Sequence, residues 1–419
     1  MEFNSYIFTK DRRLCSGCAA CVQVCKQGAL VMRADDEGFL YPELDKEKCI
    51  KCGACVNVCP VVNNKAANDK QDQHCYVATT NDAKYFKESA SIGLCTMLSE
   101  LIVGEGGIVF GVYLDETVWK AYHIPVFDWA GLESVRNSKY LQSDTRNTYS
   151  EVKGYLLKGV KVLYIGTPCQ IAGLKAYLRK DYQNLYTIDI ICHGVFSPKL
   201  MPLEILYWER LFKGKIVNFR FRSKKKYTHV NGGMVNFDVI KKNGCTIHIE
   251  RHASSSPTYR AYAYSGDGIN HNLRPFCYSC SFRADTRYGD ITVGDPWGIK
   301  DNLLHDKRLR SQNCIRTFFV TNSPKGAALI QRIKNNLILQ ELSKKESFAQ
   351  PAVLSSNRTN VGKRNEIYTR IRNEEYSKII EDLFHCDLER SHRFFVRNYW
   401  MATIKRGISI FVPRFQKKI

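Results

Sequence analysis

The chain is short of acidic residues and has no long apolar run. Of its 419 residues, 41 are Asp or Glu and 62 are Lys or Arg, so its formal net charge is +21 at pH 7. No stretch of about 18 consecutive apolar residues occurs, so the sequence predicts no membrane-spanning helix. No secretion leader, with its charged start and apolar centre, precedes Cys15. These absences favour a cytoplasmic protein, and the basic excess favours acidic partners.

The acidic residues are also unevenly distributed. Residues 1–68 carry nine basic and eight acidic side chains, so nearly all of the positive excess lies downstream. The length predicts two or three domains. Seventeen cysteines would make an odd disulfide set, and eight of them fall in motifs that require free thiolates. This usage of cysteine favours a reducing compartment.

Two cysteine runs near the N-terminus share the spacing C-x2-C-x2-C-x3-C. They match at a shift of 34 residues, also in an alanine and two valines, which indicates an internal duplication. The runs are Cys15, Cys18, Cys21 and Cys25, then Cys49, Cys52, Cys55 and Cys59. A cubane iron-sulfur cluster needs four thiolates, and two-residue gaps let one tight loop offer three of them.

Residues 1 to about 62 therefore resemble a bacterial-type dicluster ferredoxin. The resemblance implies two [4Fe-4S] clusters, each completed by the last cysteine of the other run. The two ligand sets are Cys15, Cys18 and Cys21 with Cys59, and Cys49, Cys52 and Cys55 with Cys25. The alternative for these runs is structural zinc, which prefers its ligands in separated pairs.

A second domain is expected to begin near Cys75. The polar stretch from Asn63 to Gln73 before it is typical of a linker. A short alternating strand then precedes residues whose leucines and methionine have helical spacing. Ser89 and Ser91 stand before that helix, where they either cap it or present its N-terminus to a phosphate group.

A strand, helix, strand unit follows. It comprises an apolar strand over Val160–Ile165, a helix over Gln170–Lys180 and a strand over Asn184–Ile191. Such a unit builds parallel strands, and open α/β sheets bind their ligands at the carboxyl edge. Cys169 and Cys192 each follow one of the two strands, so we expect both thiols at that edge.

Two further cysteines, Cys277 and Cys280, form a C-x2-C pair. With Cys169 and Cys192 they make four thiols that can hold a third [4Fe-4S] cluster or a zinc ion. The spacing does not decide between the two.

A basic segment separates these two cysteine pairs. Lys213 to Arg260 carries eleven basic residues and two acidic ones. One interpretation is a solvated basic hairpin. In the other, its interleaved aromatic residues stack on a nucleobase or a flavin. These are Phe219, Phe221, Tyr227 and Phe237.

Together these segments resemble the family of coenzyme F420 hydrogenase and dehydrogenase beta subunits, from about Cys75 to about Thr321. The matching stretches are Gly166-Thr-Pro-Cys-Gln, Cys192-His-Gly, Phe219-Arg-Phe-Arg-Ser-Lys, Cys277-Tyr-Ser-Cys and Gly289-Asp-Ile-Thr-Val-Gly-Asp-Pro-Trp-Gly. The resemblance implies an oxidoreductase that binds FAD and one [4Fe-4S] cluster. That cluster maps to Cys169, Cys192, Cys277 and Cys280.

The resemblance also implies flavin contacts. They are Ser89, Ser91, Gly93, Ser138, Lys139, Tyr140, Arg220, Arg222 and Lys224. In the stretch that precedes the helix, Ile92 stands where the family tends to have glycine. A β-branched side chain there hinders the close approach of a phosphate.

The C-terminal residues 391–419 hold seven basic side chains, no acidic ones and several aromatic rings. Such a tail either lies on an anionic membrane surface or packs back on its own protein. Both interpretations stay open.

The sequence thus predicts an α+β protein with three parts. Residues 1–68 form a dicluster ferredoxin domain, 69–340 an α/β flavin and iron-sulfur domain containing a parallel sheet, and 341–419 a basic, mainly helical extension. We expect an iron-sulfur flavoprotein oxidoreductase that passes electrons between a two-electron carrier at the flavin and the clusters. A cluster takes one electron at a time, so an intervening cofactor that exchanges electrons both in pairs and singly is needed.

The expected partner is a redox protein or a small hydride carrier, a deazaflavin or another, and no nucleic acid. Two rivals remain. The first is a flavin-free multi-cluster electron carrier, and the second is a zinc and nucleic-acid binding module.

Overall fold

The computed structural model describes residues 5–63, 72–82, 84–85, 89–223, 233–311, 314–347, 360–399 and 401. None of the helices in these ranges has the length and apolar character needed to cross a membrane. The predicted contacts Lys224 and Tyr227 lie outside the described residues.

Fourteen strands are described. They are β1 Leu30–Ala34, β2 Leu40–Leu44, β3 His74–Thr79, β4 Ile108–Asp115, β5 Lys120–Val126, β6 Ser143–Asp144, β7 Val162–Gly166, β8 Leu185–Ile190, β9 Gly214–Arg220, β10 Met234–Lys241, β11 Thr246–His252, β12 Ile291–Gly294, β13 Thr317–Thr321 and β14 Ile338–Leu342.

The helices lie mainly between these strands. They are α1 Tyr6–Thr9, α2 Ala20–Gln23, α3 Ala54–Asn57, α4 Leu94–Gly104, α5 Trp129–Val135, α6 Thr148–Leu157, α7 Pro168–Leu178, α8 Leu200–Phe212, α9 Pro257–Ala263, α10 Lys307–Arg310, α11 Pro324–Ile333, α12 Lys344–Ser347, α13 Arg364–Arg370, α14 Tyr376–Leu383 and α15 over residues 388–399.

A nine-stranded mixed sheet organises the second domain, in the order β14-β3-β13-β12-β8-β7-β4-β5-β6. Its centre is parallel, because β8 pairs in parallel with both β12 and β7, and β7 with β4. The flanking strands β13, β3, β14 and β5 add antiparallel pairs. The predicted parallel unit is therefore confirmed within a larger mixed sheet.

Helices cover both faces of this sheet. Val109, Leu163 and Ile188 pack on one face against residues of α4 and α11. Phe110 and Tyr164, one position away along their strands, pack on the other face against α6 and α7. Because successive side chains of a strand point to opposite faces, these strands are apolar throughout.

The third core joins all parts of the chain. It contains Phe39 and Tyr41 of the ferredoxin domain, Phe196 of the second domain, and Ile367 and Ile380 of the C-terminal helices. The side chain of Arg364 on α13 donates to both carboxylate oxygens of Glu37, in the loop between β1 and β2. The described part of the C-terminal extension therefore packs on its own protein.

The structure corrects two local expectations. Helix α4 begins at Leu94 and its N-cap is Gly93, with a φ of 77°, so neither Ser89 nor Ser91 caps it. The rings of Phe219, Phe221 and Phe237 are buried and pack against one another, so none is free to stack on a base or a flavin. The rings are buried because they belong to the apolar cluster that also contains Trp208 of α8.

A buried ion pair fixes the carboxyl end of β8. Asp189 is fully buried and accepts hydrogen bonds from Arg287 at 2.8 Å and from Thr292 at 2.6 Å. Its second oxygen accepts from the backbone N–H groups of Tyr288 and Gly289. This carboxylate ties the loop before β12 to the strand that leads to Cys192.

We expect Asp189→Asn to lower the free energy of unfolding by about 3 kcal/mol or more, because it leaves the buried Arg287 cation without its counter-charge. Urea unfolding followed by circular dichroism measures the change. The control is Asp301→Asn, which removes an exposed pair with Arg316 and should have a much smaller effect. Equal losses in the two variants would contradict the role of the buried pair.

Candidate functional site

Four cysteines line a small cavity inside the ferredoxin domain, here called the inner cavity. They are Cys15, Cys18, Cys21 and Cys59. Three come from the first run, at the start of α2, and the fourth follows α3 in the second run. Burial and the neighbouring thiols of Cys18, Cys15 and Cys59 raise the pKa of Cys21 well above its ordinary value.

The other four cysteines of the two runs line a second, wider cavity, here called the outer cavity. They are Cys25, Cys49, Cys52 and Cys55. The duplicated turns that build both cavities are alike, since Ala19 and Gly53 precede α2 and α3 with φ of 61° and 72°. The grouping agrees with the predicted crossed sets, and the ligand assignment stays a prediction.

A third group of four cysteines lines a cavity at the edge of the large sheet, here called the sheet-edge cavity. They are Cys169, Cys192, Cys277 and Cys280. Cys169 lies in the first turn of α7, directly after β7, and Cys192 lies two residues after β8. Cys277 and Cys280 belong to the short turn over Pro275–Ser279 and to its end.

Local hydrogen bonds hold these thiols in position. Thr167 caps α7 in a capping box with Gln170, and its hydroxyl lies 3.1 Å from the Cys169 sulfur. The Gly194 N–H donates to the sulfur of Cys192 at 3.4 Å. Burial, and then the charges of Cys192 and Cys277, raise the pKa of Cys169 to about 12.

The chemistry of these donor sets fits iron-sulfur clusters. Thiols that are buried together ionise only when a positive centre compensates their charge, as cluster iron does. In the described ranges, no group of three or more His, Cys, Asp or Glu side chains is arranged to hold a single metal ion.

Seven of the nine predicted flavin contacts lie around the sheet-edge cavity, which has a volume of about 310 Å³. They are Ser89, Ser91, Gly93, Ser138, Lys139, Tyr140 and Arg222. Arg220 is not among the residues described as lining it. The side chain of Ile92 is fully buried among the apolar residues around α4, so it points away from the cavity between Ser91 and Gly93.

A charged network closes one side of this cavity. Arg222 donates to both carboxylate oxygens of Asp295, at 3.0 and 3.1 Å, and the Ser91 hydroxyl donates to Asp295 at 2.5 Å. The Arg222 charge keeps the pKa of Asp295 below its ordinary value although burial opposes this. The network joins the loop before α4 to the glycine-rich turn after β12.

Lys139 lines the same cavity, and its ammonium group loses its proton more easily than an ordinary lysine does. Its ammonium donates to the backbone carbonyls of Arg136 at 2.8 Å and Asn137 at 3.3 Å. Burial, with a smaller effect of the Arg220 charge, lowers the pKa of Lys139 to about 7. An anion bound beside it would favour its protonated form.

Two family models match this chain. Residues 14–63 match a 4Fe-4S dicluster domain, and residues 159–346 match the C terminus of the coenzyme F420 hydrogenase/dehydrogenase beta subunit. The chain therefore contains a 4Fe-4S dicluster domain, and its residues 159–346 are similar to the C terminus of that beta subunit. These two matches indicate an iron-sulfur electron-transfer oxidoreductase.

The other comparisons are more distant. No curated protein was found to match the chain. Thirteen chains of solved structures match it. One belongs to the xenon-derivatised F420-reducing [NiFe] hydrogenase complex from Methanosarcina barkeri, with 14% sequence identity and a TM-score of 0.44. That match covers 73% of this chain and 93% of the other.

Sequence reasoning missed the residues that join the dicluster domain to the second domain. Arg274 is fully buried and donates to the carbonyls of Cys15 at 2.8 Å and Leu40 at 3.0 Å, and to Gln142 at 3.1 Å. A Cβ atom at Gly17, whose φ is 78°, would lie 2.2 Å from the Gln142 side chain, so a larger residue there would displace this glutamine. The signal available was the position of Arg274, three residues before Cys277.

The grouping of Cys59 with the first run leads to a test. We expect Cys59→Ala to damage the cluster held by Cys15, Cys18 and Cys21, because it removes the fourth thiolate of the inner cavity. EPR of the dithionite-reduced protein should show loss of that centre alone. The matched variant Cys25→Ala should damage the other centre instead, and an interchange of the two losses would show that the ligand sets are not crossed.

Proposed function

We propose that this chain is an iron-sulfur flavoprotein oxidoreductase. It passes electrons between a two-electron carrier at a flavin in the sheet-edge cavity and one-electron carriers at the ferredoxin clusters. The observation that carries the proposal is the succession of three cysteine-lined cavities, outer, inner and sheet-edge, in one continuous part of the molecule.

Adjacent cavities in this succession lie close together. Cys55 of the outer cavity is close enough to Cys21 of the inner one to contribute to its raised pKa. Ser16 and Gly17 line both the inner and the sheet-edge cavities. A Cβ atom at Gly173 on α7 would lie 3.0 Å from the Cys18 sulfur, so the inner cavity is packed directly against the helix that carries Cys169.

The cysteines of the inner and the sheet-edge cavities are therefore separated by about one turn of α7 rather than by a layer of protein. Four thiols at the sheet edge would hold the third [4Fe-4S] cluster there. Electrons then pass from one cluster to the next without leaving the protein.

FAD, when bound, supplies the exchange between electron pairs and single electrons that the clusters lack. The residues around the sheet-edge cavity suit both the pyrophosphate and the ring system of FAD. Lys139 would offset pyrophosphate charge, and the ring of Tyr140, held edge-on by Phe221, Tyr259 and Tyr262, presents a rigid wall. Because Arg222 is already neutralised by Asp295, it orients the wall of the cavity rather than adding a free positive charge.

The exposed end of the same cavity is the proposed docking site of the two-electron carrier. Trp297 lies at this end and is 58% exposed, next to Asp295. The family description supports a deazaflavin or a related hydride carrier as substrate. The rival is a flavin-free electron carrier. A cofactor inventory of the purified protein that finds iron and sulfide but no flavin would favour this rival.

The third cluster predicts the iron content of the chain. Anaerobically purified protein should contain about twelve irons with matching sulfide, and Cys192→Ser should lower this to about eight, because one cubane loses a ligand. The control is Cys245→Ser, which changes an exposed cysteine between β10 and β11. Stoichiometric zinc, or iron content unchanged by Cys192→Ser, would contradict a third cluster.

The flavin site predicts the behaviour of Lys139→Glu. Replacement of the cation by an anion should lower flavin occupancy severalfold and abolish cluster reduction by a hydride donor, while dithionite still reduces the clusters. In the wild-type protein, flavin occupancy should be greater below pH 7 than above it, because the Lys139 charge is lost as the pH rises through its pKa of about 7.

Released flavin and cluster absorbance measure both effects. The control Lys215→Glu reverses an exposed charge on β9 and should leave them unchanged. Normal flavin content and normal donor-driven reduction in Lys139→Glu would show that a flavin, if bound, lies elsewhere.

A further inference from the structure

We propose that the mouth of the outer cavity is the docking surface for a small acidic protein that carries one electron at a time. This inference rests on the proposed function and names the partner at its one-electron end. It concerns a surface that the cysteine motifs do not describe, since two of its four rim cations come from outside the ferredoxin domain.

The centre of this surface is apolar and reaches the cysteines. Phe8 and Ile50 both line the outer cavity and are 52% and 63% exposed. Cys52 lies beside them and is itself exposed. Exposed large apolar side chains that surround a cavity of about 1290 Å³ mark an interaction site rather than ordinary surface.

The rim of this surface is basic. Lys26 and Lys51 come from the ferredoxin domain, while Lys153 on α6 and Arg179 at the end of α7 come from the second domain. All four side chains are exposed. Among the described residues that line the outer cavity, none is acidic.

Most of the described carboxylates of the ferredoxin domain pair with the protein's own cations. Asp36 pairs with Arg12 and Arg372, and Glu37 pairs with Arg364. Asp45 pairs with Lys48. Although residues 1–68 are nearly neutral overall, their charges are therefore separated in space. Most of the described carboxylates bind the protein's own arginines or lysine, whereas the cations around the outer cavity are exposed.

An apolar centre with a positive rim fits an acidic protein whose redox centre lies near its surface. Such encounters need only a small interface, and complementary charge raises their association rate. The exposed Cys52 brings the nearest cluster ligand to the contact. A nucleic acid would use the rim but leave the apolar centre without a role.

The test measures binding of an acidic plant-type [2Fe-2S] ferredoxin to the full chain by calorimetry, at low and at high salt. Lys153→Glu/Arg179→Glu removes two rim cations that lie away from both cysteine runs. The control, Lys215→Glu/Lys242→Glu, makes the same change in net charge on the β9 to β11 sheet.

We expect the rim variant to weaken ferredoxin binding about tenfold or more at low salt, and the control to change it little. The reduced ferredoxin should reduce the clusters of the rim variant correspondingly more slowly. Equal weakening in both variants, or none in either, would overturn the proposal. A defect seen only with a short DNA duplex would overturn it in favour of a nucleic-acid surface.

Failure of the proposed function would look different. A chain whose clusters dithionite cannot reduce would refute the electron path, whereas the binding comparison would still decide whether this surface receives an acidic protein.

Discussion

One fully buried arginine holds the candidate site together. Arg274 donates its hydrogen bonds to the ferredoxin loop at Cys15 and Leu40 and to Gln142 of the second domain, and its guanidinium lies 4.0 Å from the centre of the Tyr41 ring. A cation in such a place is stable only when every donor is satisfied. The groups that accept its hydrogen bonds must therefore keep their positions around the guanidinium. This fixes the position of the inner cavity relative to Cys277 at the sheet edge.

The parts of this site that could be predicted from the sequence are those set by local spacing. The two cysteine runs, the parallel unit around Cys169 and the strand before Cys192 are each encoded within about a dozen residues. Ser138, Lys139 and Arg222, which the family resemblance implied as flavin contacts, line one cavity, and the contacts themselves stay a prediction. Ile92 shows the limit of motif comparison, since its side chain turns into the core and leaves the loop free.

Long-range packing could not be predicted in the same way. The basic segment around β9 suggested exposed aromatic rings, yet Phe219 and Phe237 are buried because they lie under α8. Nothing local to Arg364 indicates that it binds Glu37, 327 residues away. Serine before α4 suggested a cap, but Gly93 takes that position and releases Ser91 to bind Asp295. In each case a tertiary contact outweighed a local preference.

The close packing of Cys18 against Gly173 has a consequence for how the protein matures. Helix α7 covers the inner cavity, and the residues that form it are synthesised long after Cys15, Cys18, Cys21 and Cys59 have emerged. In the folded chain Cys18 is buried under this helix. We therefore expect a cluster of the inner cavity to be assembled before α7 packs over Cys18.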